Sequence, residues 1–402
     1  MSTSVKASSA AGAGSEATPA SVHLRPRDGS AQPTTAVELL FDLVYVFAIT
    51  QLSELLIGRL TFAGAGHVAF LLLVVWWAWI YTTWMVNWFD PGSGKVRLVL
   101  MLAGLASLLM AASIPRAFTS QAPLFAGAYV ALQVGRNVAG MALLGREQPL
   151  RSVFERIVAW SLASGALWIA GAFVPASLRF ALWGPALVLD LAAPLAGYWT
   201  PGLGRSGVDD YPVEGGHFAE RFQAFIIIAL GESIVVTGAA ASASGLASRT
   251  VAALALAFLI TGTLWWLYFG EIAENSRRHL AEADDPGGLA RDAYTYLHLP
   301  IVAGIIMVAV GDHLLIANPT RALSTAGVIM MLGGPALYLF GETLFRLRMI
   351  GSVSPKRISI VLALCALALA GGLPAIALAG ALAAVLLTLA LWEWPPVKPA
   401  VR

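Results

Sequence analysis

Glu38, Asp42, Gln51 and Glu54 stand in or beside one apolar stretch, VELLFDLVYVFAITQLSELL at 37–56. On a helix Glu38 and Asp42 are about 40° apart and share a face, and Glu54 lies about 18 Å beyond Asp42. Glu38 and Glu54 can therefore reach water at opposite ends, whereas Asp42 sits a turn deeper. An ionisable group at the centre of a bilayer costs about 2.5–3.5 kcal/mol, so each needs a partner, a water-filled cavity or a task. A second such stretch, HFAERFQAFIIIALGES at 217–233, puts His217, Glu220 and Arg221 in its first turn, where the helix dipole favours an acid. It puts Glu232 and Ser233 deep in an uninterrupted apolar run. Asp190, between Pro185 and Pro194, and Arg136, flanked by Gln133 and Asn137, fall at similar depth in two further apolar runs.

Two chemistries fit these residues. Static ion pairs would fix helix packing. Alternatively, acids from separate helices meet in a wetted interior and exchange protons or bind a small cation. On either reading Arg136 pairs with Asp190 and Glu232; on the second, Asp42, Asp190 and Glu232 exchange partners or protons, and the candidate pathway comprises Glu38, Asp42, Gln51, Arg136, Asp190, Glu220, Arg221, Glu232 and Ser233. No metal site is expected: His217 and Glu220 form an i,i+3 pair with no second pair to complete it.

The elements that must carry these side chains are membrane helices. Of 402 residues 58% are hydrophobic and only 12% charged, with a mean hydropathy of +0.75, against about a quarter charged in soluble domains. Twelve apolar runs are expected to span, near 37–58, 64–88, 96–113, 122–144, 153–174, 179–199, 217–239, 250–272, 293–316, 324–345, 357–373 and 375–394. The fold class is therefore all-α and polytopic. With twelve spans, 18 of the 25 Lys and Arg fall on the side that holds both termini, which predicts that both ends are cytoplasmic. Glu38 in 37–52 aligns with Glu220 in 219–235, and FLLLVVWWAWIY at 70–81 resembles FLITGTLWWLYF at 258–269. Six helices separate the copies, an even number, so the halves read as parallel six-helix repeats. The expected organisation is a disordered cytoplasmic tail at 1–35, halves at 36–204 and 205–395, and a short cytoplasmic tail at 396–402.

Several classes are excluded or disfavoured. A net charge of +2 gives no nucleic-acid footprint, and the single Cys365 permits no intramolecular disulfide. No phosphate-binding loop, dinucleotide fingerprint or hydrolase motif occurs, so no cofactor is expected. The Trp residues at 76, 77, 79, 84, 88, 265 and 266 fit interfacial belts, with core packing as the competitor. Glu342 and Arg346 read as a local i,i+4 bridge.

VELLFDLVYVFAITQLSELL together with GGHFAERFQAFIIIALGESIVVTG resembles the bacterial low temperature requirement A family, whose members carry Glu-Leu-x-Phe-Asp-Leu early and His-x-x-Glu-Arg-Phe followed by Leu-Gly-Glu-Ser in mid-chain. RLVLMLAGLASLLMAASIPRAF at 97–118 and YLHLPIVAGIIMVAVGDH at 296–313 extend the likeness over nearly everything after residue 35. Val44-Tyr45 and Glu54 depart from the family pattern. The resemblance implies a multi-pass protein of the bacterial cytoplasmic membrane and brings no settled activity with it. A two-repeat family of potassium channels offers a fold-level analogy only, because its Ser is missing before Asp42 and the second half has no matching Asp. The reading that best joins these features is a secondary transporter or ion-coupled permease in contact with the lipid bilayer, acting on a proton or small cation. A passive cation channel, a lipid-acting membrane enzyme and a structural membrane protein are the alternatives, and a homo-oligomer is open.

Overall fold

The computed structural model describes residues 23–27, 32–146, 148–207, 210–369 and 372–394. Most of the expected N-terminal tail and all of the C-terminal one lie outside these residues. The described chain is built of helices, with no strand beyond three isolated bridges. In chain order they are α1 (Ala36–Ile57), α2 (Phe62–Trp88), α3 (Gly94–Ser113), α4 (Ala122–Leu143), α5 (Pro149–Phe173) and α6 (Ala176–Ala192). There follow α7 (Gly215–Ser244), α8 (Ser248–Glu282), α9 (Pro286–Ala317), α10 (Thr325–Ile350), α11 (Pro355–Leu369) and α12 (Ala375–Trp392). Helices α8, α9 and α10 each contain a π-helical stretch, at Tyr268–Ile272, Ala290–Tyr296 and Ile329–Gly333.

Local chemistry sets the ends. The Thr61 hydroxyl accepts the Gly64 N–H at 3.0 Å to start α2, and the Ser324 hydroxyl accepts the Gly327 N–H at 3.2 Å to start α10. Pro149, Pro286 and Pro355 open α5, α9 and α11, where a missing N–H costs nothing. Gly351, at φ 67°, stops α10 in the left-handed conformation that glycine adopts freely.

Nine described helices, α1, α2, α3, α5, α7, α8, α9, α10 and α12, are long and apolar enough to cross a membrane. The other three expected spans form helices that fall short of that mark. Helix α6 has 17 residues and α11 has 15, the former halted by turns beginning at Ala193, and α4 is diluted by Gln133, Arg136 and Asn137 along its middle.

Among α1 to α6, α1 packs on α3, α3 on α4, α4 on α5 and α5 on α6. Among α7 to α12, α7 packs on α9, α9 on α10, α10 on α11 and α11 on α12. The two sets meet where α1 and α2 pack on α7 and α9. Helix α2 is the centre of this junction. Trp76, Trp77 and Trp79 are buried in it and not placed at an interface, and Trp88 is buried near its end, so core packing wins over the belt for these residues. Trp265 and Trp266 of α8 are exposed, as a belt requires. Trp76 donates to the Thr295 carbonyl at 2.8 Å and Trp84 to the Thr295 hydroxyl at 3.1 Å, which ties α2 to α9.

Candidate functional site: a charged seam between α1 and α7

Three contacts align α1 with α7: Glu38 with His217 at 2.7 Å, Asp42 with Arg221 at 2.6 Å and Thr50 with Glu232 at 2.6 Å. Residue numbers rise together along both helices, so the two run parallel. Two complementary i,i+4 pairs therefore face each other, Glu38 and Asp42 on one helix and His217 and Arg221 on the other.

At the head of the seam every charge is answered. Arg221 grips Asp42 with both terminal nitrogens, at 2.6 and 2.7 Å, and the Trp79 indole N–H donates to the same carboxylate at 2.8 Å. Glu38 accepts from Arg25 at 3.2 Å and from the Thr35 N–H and hydroxyl, each at 2.7 Å. None of Glu38, Asp42, His217 and Arg221 has more than 1% of its surface exposed. Asn87 fixes the histidine tautomer. Its amide oxygen accepts the Glu214 N–H and its amide nitrogen donates to the Glu214 carbonyl, both at 2.9 Å, and that nitrogen also faces His217 Nδ1 at 3.2 Å. Nδ1 is thus assigned as an acceptor and Nε2 as the donor to Glu38, with a terminal nitrogen of Arg25 crowding Nε2 at 3.0 Å as it too reaches for Glu38. Arg25 arrives on a strap, residues 23–27, that bridges to Phe89 and donates to the Val86 carbonyl at 2.6 Å.

Along the middle of the seam compensation is thin. Glu232 is fully buried, and Thr50 is its donor through one carboxylate oxygen; the other, Oε1, has no hydrogen-bond partner. Thr50 has a single proton and also lies 3.1 Å from the Val46 carbonyl. On the next residue Ser233 donates to Asp312 of α9 at 2.6 Å and meets Thr261 of α8 at 3.1 Å.

The remaining candidates are elsewhere. Asp190 accepts from Tyr129 at 2.8 Å and Trp168 at 2.9 Å. Arg136 donates to the Ala78 carbonyl at 3.2 Å, to Thr82 at 3.0 Å and to Gln133, whose amide reaches Tyr129 at 3.0 Å. The expected pairing of Arg136 with Asp190 and Glu232 is corrected accordingly: among the described residues Arg136 touches no carboxylate, because backbone and neutral side-chain acceptors take its terminal nitrogens while Nε has no partner, and only two neutral side chains link it to Asp190. Asp42, Asp190 and Glu232 do not converge on one cavity; each is held by its own neighbours. Gln51 turns away and donates to Glu54 at 3.3 Å, and Glu220, half-buried, accepts the Thr34 N–H at 3.2 Å. The Glu342–Arg346 pairing is also replaced: Glu342 is bonded to Arg357, which reaches Glu393 as well, at 2.8 Å. No group of three or more His, Cys, Asp or Glu able to hold a metal occurs among the described residues.

Sequence reasoning missed Thr50 and Asp312 as members of the seam, and Arg25, Trp79 and Asn87 as its supports. The available signal was the matched spacing of four in Glu38/Asp42 and His217/Arg221.

Apolar helices of membrane-crossing length that keep their ion pairs inside the bundle define a multi-pass membrane protein. Within that class the chain belongs to the bacterial low temperature requirement A protein family, whose model matches residues 34–391. It is similar to an uncharacterized protein of Rhizobium meliloti (strain 1021), 36% identical over 319 residues that cover 79% of this chain and 78% of that one. No solved structure matches.

Proposed function

We propose that the protein is a secondary carrier of the bacterial cytoplasmic membrane that takes up a small cation, in the simplest case a proton, at Glu232. What carries the reading is Glu232 Oε1, a buried carboxylate oxygen with no hydrogen-bond partner on a helix at the junction of the two halves. An unpaired buried polar atom costs about 1–3 kcal/mol, and more when charged, so the bare oxygen invites a proton or a cation. The acids at the head of the seam, Glu38 and Asp42, have cationic donors and need neither.

The proposed frame is twelve spans in two parallel six-helix repeats, 36–204 and 205–395, with both ends cytoplasmic. Three observations support it. The order of helix pairing is the same in each half. Helices α1 and α7, the first of each half, run parallel. Thr50 and Glu232, which align when Glu38 is matched to Glu220, meet each other at 2.6 Å, as equivalent residues beside a two-fold axis do. Carriers built from repeats place their sites at such a junction.

The test is flux through the purified protein in proteoliposomes under H⁺, Na⁺ or K⁺ gradients. The wild type is expected to dissipate one of them, and Glu232→Gln to abolish that flux while remaining folded and inserted. Undiminished flux in Glu232→Gln overturns the assignment, and a wild type inert to all three gradients overturns the carrier reading for these ions.

A further inference from the structure

Two neighbouring spaces border α2 and α9. The first, about 50 Å³, has walls of Tyr81, Trp84, Trp88, Tyr198 and Tyr211, with Arg291 at its edge. The second, about 330 Å³, is an apolar cleft between α2, α6 and α9, lined by Leu73, Val188, Leu191, Leu195 and Leu299. Val188 and Leu195 are exposed, so the cleft opens to the outside of the bundle. Trp77 and Thr295 line both spaces, which are therefore adjacent.

The donors around this junction are unevenly used. Trp76 and Trp84 give their indole N–H groups to Thr295, and Trp88 gives its own to the Pro212 carbonyl at 2.9 Å. The Trp77 N–H, on a ring that is 1% exposed, has no partner. Arg291 spends Nε on Asp292 at 2.8 Å, and its terminal nitrogens have no partner among the described residues. Asp292 is also bound by Arg348 at 2.9 Å, so Arg291 shares its acid with a second arginine. No carboxylate lines either space. Arg291 and Thr295 lie in the π-helical stretch Ala290–Tyr296, a distortion frequently found at functional sites. Tyr198 is held at φ 50° with its hydroxyl donating to Tyr81 at 2.9 Å, a second local strain against the same wall.

We propose that an anionic phospholipid binds between α2, α6 and α9, an acyl chain in the apolar cleft and its phosphate against the Trp77 N–H and the terminal nitrogens of Arg291. The unspent N–H donors, one of them on a guanidinium, select an anion, and charge-assisted bonds to it are the strong ones. A choline head would bring a second cation beside Arg291, which a glycerol head does not. An apolar cleft open to the bundle exterior distinguishes a lipid from a water-borne anion, and basic pockets between membrane helices bind anionic headgroups in this way. The proposal does not rest on the carrier reading.

The test is lipid retention by the full chain in detergent, read by native mass spectrometry. The probes are phosphatidylglycerol and phosphatidylcholine with identical chains, and inorganic phosphate. One phosphatidylglycerol per chain is expected to be held about tenfold more tightly than phosphatidylcholine, a difference of about 1.4 kcal/mol. Arg291→Gln should bring the two lipids within about twofold of each other. Leu195→Trp, at an exposed position where folding is not at stake, should weaken retention of both by obstructing the cleft. Equal retention of the two lipids by the wild type, or unchanged retention in Leu195→Trp, overturns the proposal. So does displacement of phosphatidylglycerol by inorganic phosphate, which would make the site one for a soluble anion.

Discussion

Replacing Asp42 by Asn preserves its shape and removes its charge. Both terminal nitrogens of Arg221 lie on the Asp42 carboxylate, at 2.6 and 2.7 Å, and neither residue is reached by water. An amide offers one oxygen and one NH₂, so one guanidinium donor would face another donor. Removing one partner of a buried ion pair costs about 3–5 kcal/mol. Asp42→Asn is expected near the lower figure, because Glu38 stays 4.0 Å from Arg221 Nε and partly answers the orphaned cation. Arg221→Met is expected near the upper one, since Asp42 then keeps only the Trp79 N–H. Replacing the pair together, Asp42→Leu with Arg221→Met, removes both charges, and such apolar exchanges are often close to neutral. The double variant should therefore be less damaged than either single one, giving a coupling of several kcal/mol where independent sites add within about 0.5. Unfolding by sodium dodecyl sulfate in mild-detergent micelles, followed by tryptophan fluorescence, measures all four proteins. Additive losses, or an Asp42→Asn variant within about 1 kcal/mol of the wild type, would refute the claim that this pair locks α1 to α7.

Three further outcomes are expected in the same assay. Arg136→Met should cost about 1–3 kcal/mol through the acceptors it strands, and the loss should add independently to that of Glu232→Gln, whose side chain it does not touch. Gly304→Ala should destabilise by more than the roughly 1–3 kcal/mol of ordinary overpacking, because a Cβ there would stand 2.7 Å from the Gly334 carbonyl oxygen and from the Tyr338 nitrogen, both main-chain atoms of α10. Arg357→Met should cost about 3–5 kcal/mol, because it leaves Glu342 buried beside Glu393 with its cation gone.

Helix positions and membrane character were legible because apolar run length dominates every competing signal in a chain with 12% charged residues. The family was legible from two motifs, and those motifs turn out to be the two sides of one seam. The pairing across it was not legible, because placing His217, Glu220 and Arg221 in a first turn put them near the helix end, with Glu220 answered by the dipole and Arg221 given no partner. Helix α7 starts at Gly215, which puts Arg221 well into the second turn, level with Asp42. Arg136 misled for a different reason. Its partners are a main-chain carbonyl and neutral side chains, and carbonyl acceptors leave no mark in a sequence. The tryptophans of α2 misled because an aromatic cluster reads alike at an interface and in a core; their burial follows from the position of α2 between the two halves.

The seam changes character along its length, and that gradient bears on how a carrier could work. At its head, Arg25, Thr35, His217, Arg221 and Trp79 all donate to two acids, so separating α1 from α7 there would strand several charges at once. Two turns on, one hydroxyl with a single proton stands between the helices, and its own helix competes for that proton. Adding a cation at Glu232 therefore changes the interaction between α1 and α7 where they are least tied, while the ion pairs hold the ends together as a fulcrum. On the proposed reading the head sets stability and the middle sets flux. Asp42→Asn should then lose folded protein but keep flux per folded molecule, whereas Glu232→Gln should do the reverse. Equal loss of flux per folded molecule in both would place the head inside the pathway and remove the distinction between lock and site.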